Sequence, residues 1–197
     1  MFTGIIEKTG IITEVIRLGT NTSFCVQSEL AAELKIDQSL SHNGICLTVE
    51  EIENGIHRVT AIEETILKTN ASSWEAGKVI NLERCMQLHG RLDGHLVQGH
   101  VDCTAECIEV IEKAGSWEYR FSFPKKFAAF IIEKGSVTIN GISLTCFNVT
   151  YDCFTVAIIP YTFEHTNMNE LKKGGIVNIE WDVVGKYVSR IMLLKTL

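Results

Sequence analysis

The chain has 197 residues, 46% of them hydrophobic, and a formal net charge of -6 with 18 Lys and Arg. That length fits one domain or two small ones with folded cores, and so few cations disfavour a nucleic-acid backbone as partner. The start "MFTGIIEKTGIITEVI" has none of the basic, apolar and cleavage regions of a secretion signal and no long apolar run occurs, so the expectation is a cytoplasmic protein without a membrane partner.

In chain order, the first half reads as short strands. "GIITEVI", "SFCVQ" and "HRVTAI" are rich in Val, Ile and Thr and are divided by Gly, Asn or charged turns, the texture of an antiparallel sheet. One short helix is predicted from Glu29 to Leu34, where alanines and straight-chain residues gather. "HNGICLT", residues 42 to 48, is a strand, a tight Asn43-Gly44 corner and a second strand.

The same phrase returns as "INGISLT" at 139 to 145, with Ser143 in the place of Cys46. Laying 39–84 on 136–181 without a gap gives 14 identities in 46 positions, against roughly 3 for unrelated sequence of average composition. Turn and small polar residues are kept, among them Asn43/Asn140, Thr65/Thr162, Asn70/Asn167, Asn81/Asn178 and Glu83/Glu180, while core residues drift. "GIIEKTGIITEVI" from Gly4 also lies over "GHVDCTAECIEVI" from Gly99, and a second helix is expected over Lys125 to Ile131, opened by Pro124.

Each half, 1–88 and 89–182, is therefore a module of about six short strands closed by a helical turn. A sheet of that size removes its exposed edges by closing into a small antiparallel barrel, so the expected class is all-β with two barrels in tandem. After Asp182 the texture changes: Val184, Tyr187, Ile191 and Leu194 recur at helical spacing, and Asp182 can cap a terminal helix over 183–197. Gly185 costs that helix about 1 kcal/mol relative to Ala, so it is expected to lean on a partner surface.

Seven cysteines, an odd number with no CxxC pair, indicate reduced thiols. Cys85, His89, His95, His100 and Cys103 crowd together but match no standard finger or ribbon, so no metal is expected.

"MFTGIIE", "NGICLTV", "GHLVQGHVD", "KGSVTINGISLT", "IIPYTFEHTNM" and "VNIEWDVVGKYVSR" follow one another in an order and spacing that resemble riboflavin synthase over nearly the whole chain. The resemblance implies two six-stranded Greek-key barrels, a C-terminal helix, a homotrimer and no cofactor. It implies dismutation of two 6,7-dimethyl-8-ribityllumazine molecules: one gives a four-carbon unit to the other, yielding riboflavin and 5-amino-6-(ribitylamino)pyrimidinedione. The reacting pair is then expected between the N-terminal barrel of one subunit and the C-terminal barrel of its neighbour. Two unequal copies of one pocket suit a donor and an acceptor that are the same molecule. The sequence leaves open whether the trimer docks on the lumazine synthase capsid.

Carried over by the resemblance, the N-terminal pocket is Gly4, Ile5, Ile6, Cys46, Leu47 and Thr48, with the strand Thr60, Ala61, Ile62, Glu63, Glu64, Thr65. The C-terminal pocket is Gly99, His100, Val101, Lys134, Ser143, Leu144 and Thr145, with Ile158, Ile159, Pro160, Tyr161, Thr162 and Phe163. Ring imides and carbonyls want backbone and hydroxyl partners in an apolar cleft; Glu64, Thr65 and Thr162 are candidates for ribityl hydroxyls.

The first chemical step is loss of a proton from the C7 methyl of one lumazine. His100 is a candidate base because its matched residue is Ile5, an asymmetry expected to mark the C-terminal site. Ser143 and Thr145 are candidates to orient water or polarise a ring carbonyl, and Cys46 is a nucleophile, a proton relay or merely a small neighbour. Lys134, matched to Asp37, is read as holding a ring oxygen. Many riboflavin synthases carry Asp where this chain has Asn140, so Asn140 is read as a turn residue. The competing reading is a non-catalytic lumazine- or flavin-binding protein of the same fold. Oligonucleotide binding needs a basic groove with exposed aromatics that neither half shows.

Overall fold

The computed structural model describes residues 1–195. Strands β1 (Lys8–Leu18), β2 (Asn21–Gln27), β3 (Ser39–His42), β4 (Ile45–Glu53), β5 (Ile56–Ala61) and β6 (Val79–Arg84) close a barrel in the order β1-β2-β5-β4-β3-β6. Strands β7 (Cys103–Lys113), β8 (Ser116–Ser122), β9 (Ser136–Ile139), β10 (Ile142–Phe147), β11 (Cys153–Ile158) and β12 (Ile176–Trp181) repeat it in the same cyclic order. All pairings are antiparallel, so the duplication read in the sequence is a duplication of Greek-key barrels. Alternate residues point inward, as the period of a strand requires. Phe24, Val26, Leu40, Val59 and Leu82 fill one core; Phe121, Val137, Phe154, Val156 and Trp181 fill the other.

The predicted helical turns at 29–34 and 125–131 are 3-10 turns, Glu29–Glu33 and Lys125–Phe130. Each half holds more helix than expected. Helix α1 (Glu63–Lys68) and helix α2 (Pro160–His165) lead into 3-10 turns at Asn70–Ser73 and Asn167–Glu170. Thr60–Thr65, expected as strand, therefore leaves β5 at Ala61 and enters α1; Ile158–Phe163 does the same after β11. Helices of one or two turns show too little periodicity to outweigh neighbouring Ile and Thr. The terminal helix α3 (Val183–Lys195) forms as read, with Asp182 Oδ1 accepting the Val184 N–H at 2.9 Å; residues 196 and 197 of the expected span lie outside the described residues.

The kept asparagines explain why the repeat preserves its turns. Asn43 and Asn140 sit at φ 47° and 46° in matched two-residue corners followed by glycines at φ 79° and 84°, the geometry of a tight hairpin turn. The corners meet back to back, so a Cβ on Gly44 would lie 2.8 Å from the Gly141 nitrogen, and one on Gly141 2.9 Å from that of Gly44. Around this contact Asn81 Nδ2 donates to the Asn140 carbonyl and Asn178 Nδ2 to that of Asn43, both at 2.9 Å. Asn167 N–H donates to Asn81 Oδ1 and Asn70 N–H to Asn178 Oδ1. Six buried asparagines thus bind the barrels about a local twofold axis, and buried amides keep their identity because an unmatched partner is costly.

One buried polar pair has no counterpart in the second barrel. His42 and His57 are fully buried with their Nε2 atoms 2.8 Å apart, where the other barrel has Ile139 and Phe154. His42 Nδ1 lies 3.1 Å from the Leu40 carbonyl and must donate to it, so its Nε2 accepts the His57 Nε2–H. His57 Nδ1 has no partner among the described residues. Burial holds both rings neutral, His42 well below the usual histidine range and His57 pushed down to about 4. Because the unfolded chain takes up these protons near pH 6.5 and the folded chain does not, stability falls as pH drops from about 6.5 towards 4. The expected loss by pH 4 is about 3 kcal/mol from His57 alone, and His42 adds to it in the same direction. Urea midpoints at pH 7 and pH 5 should differ clearly in the native protein and much less in His42→Ile/His57→Phe; equal pH sensitivity would exonerate the pair.

Candidate functional site

Both chain segments that precede the barrels are held by a buried carboxylate. Glu83 accepts from the Thr3 N–H and hydroxyl at 2.7 Å and from the Gly4 N–H at 3.0 Å. Glu180, its matched residue, accepts from the N–H groups of Gln98, Gly99 and His100 at 2.6, 2.9 and 2.9 Å. The two segments pair with each other through Phe2 and Val97. Each then crosses to the hairpin of the other barrel: the Gly4 carbonyl accepts the Ser143 N–H at 2.8 Å, and the Gly99 carbonyl that of Cys46 at 2.9 Å. Ile6 packs on the C-terminal core and Val101 on the N-terminal core. Gly4 and Gly99 have φ of 79° and 80°, and a Cβ on either would lie 2.6 Å from the Cβ of Ser143 or Cys46; only glycine fits so close an approach in that conformation.

This crossing corrects the expected grouping. Gly4, Ile5 and Ile6 belong with Ser143, Leu144 and Thr145; Gly99, His100 and Val101 belong with Cys46, Leu47 and Thr48. His100, an exposed residue, accordingly follows the glycine that meets Cys46 and not the one that meets Ser143, and Ile5 is its counterpart at the C-terminal hairpin. The matched register of the repeats gives no sign of an exchange between them, because both arrangements satisfy the same duplicated sequence.

The remaining expected residues fall into three groups. Ala61, Leu47 and Ile158 are buried in the cores. Ile62, Ile159, Glu63, Pro160, Thr48 and Thr145 are exposed near the barrel ends, with Leu144 and Phe163 partly covering the C-terminal core. Others already have partners: Thr60 with Ser23 and Glu50, Glu64 with Lys68 at 2.6 Å, Tyr161 stacked on His165, and Phe163 stacked on Trp117 at 3.8 Å. The carbonyls of Thr65 and Thr162 accept from the hydroxyls of Thr69 and Thr166. Lys134 lies at φ 62°, donates its N–H to the Cys146 carbonyl, three residues along β10 from Ser143, and rests its ammonium over Phe147. Asn140 Oδ1 accepts from the Asn178 N–H and Asn70 Nδ2 inside the seam, which suits the turn reading.

Sequence reading missed three polar groups. Glu83 and Glu180 were visible only as a charge kept within apolar strands. Burial raises both carboxyls while the N–H groups they accept oppose the rise. His95 is buried with Nδ1 2.6 Å from Ser143 Oγ and Nε2 3.1 Å from Thr138 Oγ1. Burial pushes the Cys46 thiol up, so it stays protonated at neutral pH and is a poor nucleophile. Among the described residues no group of three or more His, Cys, Asp or Glu is arranged to hold a metal ion.

A model of the lumazine binding domain matches the chain twice, over residues 3–85 and 98–182. Riboflavin synthase of Actinobacillus pleuropneumoniae is 37% identical over 196 residues, spanning 99% of this chain and 91% of that relative. Riboflavin synthase of Mycobacterium tuberculosis (strain ATCC 25618 / H37Rv) is 38% identical over 200 residues, spanning 98% of both. Among solved structures, LumP complexed with riboflavin superposes with a TM-score of 0.86 at 22% identity, covering 92% of this chain and 99% of that one, a likeness of fold. The two matched intervals coincide with the two barrels and their leading segments, and the chain belongs to the lumazine-binding-domain family, with the domain present twice.

Proposed function

We propose that this protein is a riboflavin synthase, a transferase that moves a four-carbon unit between two molecules of 6,7-dimethyl-8-ribityllumazine. The observation that carries the reading is the persistence of both pockets: each barrel end keeps its carboxylate latch, its glycine crossing and its hairpin floor. Synthases spanning nearly the whole chain at 37–38% identity support it. A ring over the N-terminal barrel would meet Cys46, Thr48 and His100; a ring over the C-terminal barrel would meet Ser143, Thr145 and Ile5. Neutral Cys46 then acts as a small neighbour, and His100, an exposed residue, is the base offered to the C7 methyl.

Neither pocket is complete as an enclosed reaction chamber, since Ile5, Ile62, Ile159 and Tyr161 are about half exposed or more. In this reading a second subunit closes it, the N-terminal barrel of one chain facing the C-terminal barrel of the next. Helix α3 holds a homotrimer together, and the domains are 1–88, 89–182 and 183–197. Holding two substrates face to face supplies much of the acceleration, because positioning alone is worth many orders of magnitude in effective concentration. Among the described residues no helix is long and apolar enough to cross a membrane, and the cytoplasm is the proposed location.

The test is to add purified protein to 6,7-dimethyl-8-ribityllumazine and follow riboflavin by its absorbance. One riboflavin should form for every two lumazines consumed. Tight binding without conversion would instead favour a lumazine- or flavin-binding protein, the reading that the LumP fold keeps alive. Riboflavin titrated calorimetrically should occupy two unequal sites per chain, because Cys46/Ser143 and Ile5/His100 differ across the pockets; one site per chain would count against a duplicated function.

A further inference from the structure

The pockets differ most in what stands behind their floor residues. At the C-terminal floor three polar groups form a line, Ser143 Oγ, the buried His95 ring and the buried Thr138 Oγ1, spaced 2.6 and 3.1 Å apart. His95 is 9% exposed and Thr138 1%. The backbone reaches this position through Gly94, where a Cβ would fall 2.9 Å from that of Ser143 and 2.1 Å from the Thr3 carbonyl oxygen. In the other barrel the residues matched to Ser143 and Thr138 are Cys46 and Ser41, and Ser41 Oγ is buried with no hydrogen-bond partner among the described residues. A thiol is a weak hydrogen-bonding group, so only the C-terminal floor presents an aligned hydroxyl.

We propose that His95 is the positioning residue of the C-terminal pocket, holding the Ser143 hydroxyl in one rotamer and setting whether it meets the ligand ring as donor or acceptor. The inference rests on the lumazine-binding reading of that pocket. Burial keeps the ring neutral at pH 7, so one ring nitrogen donates and the other accepts. With the proton on Nε2, His95 donates to Thr138 and accepts from Ser143, whose lone pairs then face an imide N–H. With the proton on Nδ1, Ser143 accepts from His95 and its own proton faces a ring carbonyl. The two hydroxyls change roles together, and the ligand's edge selects the setting. Cys46 has Ser39 as its side-chain partner in place of a histidine, which makes the C-terminal site the tighter and more strictly oriented of the two.

The side chains of Asn and Gln separate this role from packing, because Asn places its amide at the position of Nδ1 and Gln at that of Nε2. Riboflavin should be titrated into the native protein, His95→Asn, His95→Gln, Ser143→Ala and His95→Gln/Ser143→Ala, with thermal melts alongside. His95→Gln should weaken one of the two sites about tenfold and spare the other, while His95→Asn stays within about threefold of native. The double variant should bind no more weakly than Ser143→Ala alone, since His95 acts through that hydroxyl. Equal losses in Asn and Gln, or additive losses in the double variant, would overturn the proposal. Should His95→Gln fail to fold, His95→Ala takes its place: weakening of one site that His95→Asn restores supports the role, and unchanged binding, or equal losses in Ala and Asn, overturns it. Riboflavin formation by the native protein is read separately. If it fails while the site-selective losses hold, the synthase reading falls and the positioning role stands.

Discussion

Glu180→Ala should abolish ligand protection at the N-terminal barrel, although Glu180 lies on β12 of the C-terminal one. Its carboxylate is 2% exposed and accepts three backbone N–H groups, those of Gln98, Gly99 and His100. Removing it leaves the buried Gly99 N–H and the part-buried Gln98 and His100 N–H groups without their acceptor, the buried one at about 1–3 kcal/mol, and leaves the Phe2–Val97 pairing and the Gly99–Cys46 bond to hold the segment. Binding at the N-terminal pocket should drop about a hundredfold or more. Glu83→Ala should do the converse, releasing Thr3 and Gly4 from Ser143 and emptying the C-terminal pocket. Amide exchange with and without riboflavin reads the two floors separately, at residues 46–48 and 143–145. If each variant loses protection in the barrel that carries the mutated glutamate, the crossing is not what builds the sites.

The crossing also marks where sequence reading stops. Barrel number, strand texture, both hairpin corners and the terminal helix were legible, because each depends on local spacing or on a comparison of the chain with itself. Asn43 and Asn140 announced their turns for the same reason. What they do beyond the turn, binding one barrel to the other, needs contacts between residues 59 to 135 apart, such as those of Asn81 Nδ2 with the Asn140 carbonyl and Asn178 Nδ2 with the Asn43 carbonyl. His95 was passed over for His100 because a pocket histidine was sought at a position with a repeat partner, and the His95 ring acts on Ser143, 48 residues away. Helices α1 and α2 were lost to the β-branched residues around them, which one turn of helix cannot outvote.

Deleting everything after Val183 should leave both barrels folded and reduce riboflavin formation by orders of magnitude. Among the described residues the twelve strands end by Trp181, so none of their ladders loses a partner. Among the described residues none of the helix is buried against its own chain. Gly185 comes close to the Phe130 carbonyl, and Lys186 reaches Asp102 Oδ2 at 2.6 Å, a pair about one-fifth exposed. Its other face carries Val184, Tyr187, Val188, Ile191 and Leu194, each more than half exposed and following one another at helical spacing. Burying each such side chain is worth roughly 1.5–3 kcal/mol, enough together to hold subunits that the barrels alone would not. Packed against its own copies, this stripe accounts for the homotrimer proposed above. Losing it separates the two halves of every composite site, so turnover collapses while riboflavin still binds the separate barrels with reduced affinity. Sedimentation and the riboflavin assay on one preparation decide the matter. A truncated protein that is monomeric and fully active would place both substrates within a single chain, and the inter-subunit site would be wrong.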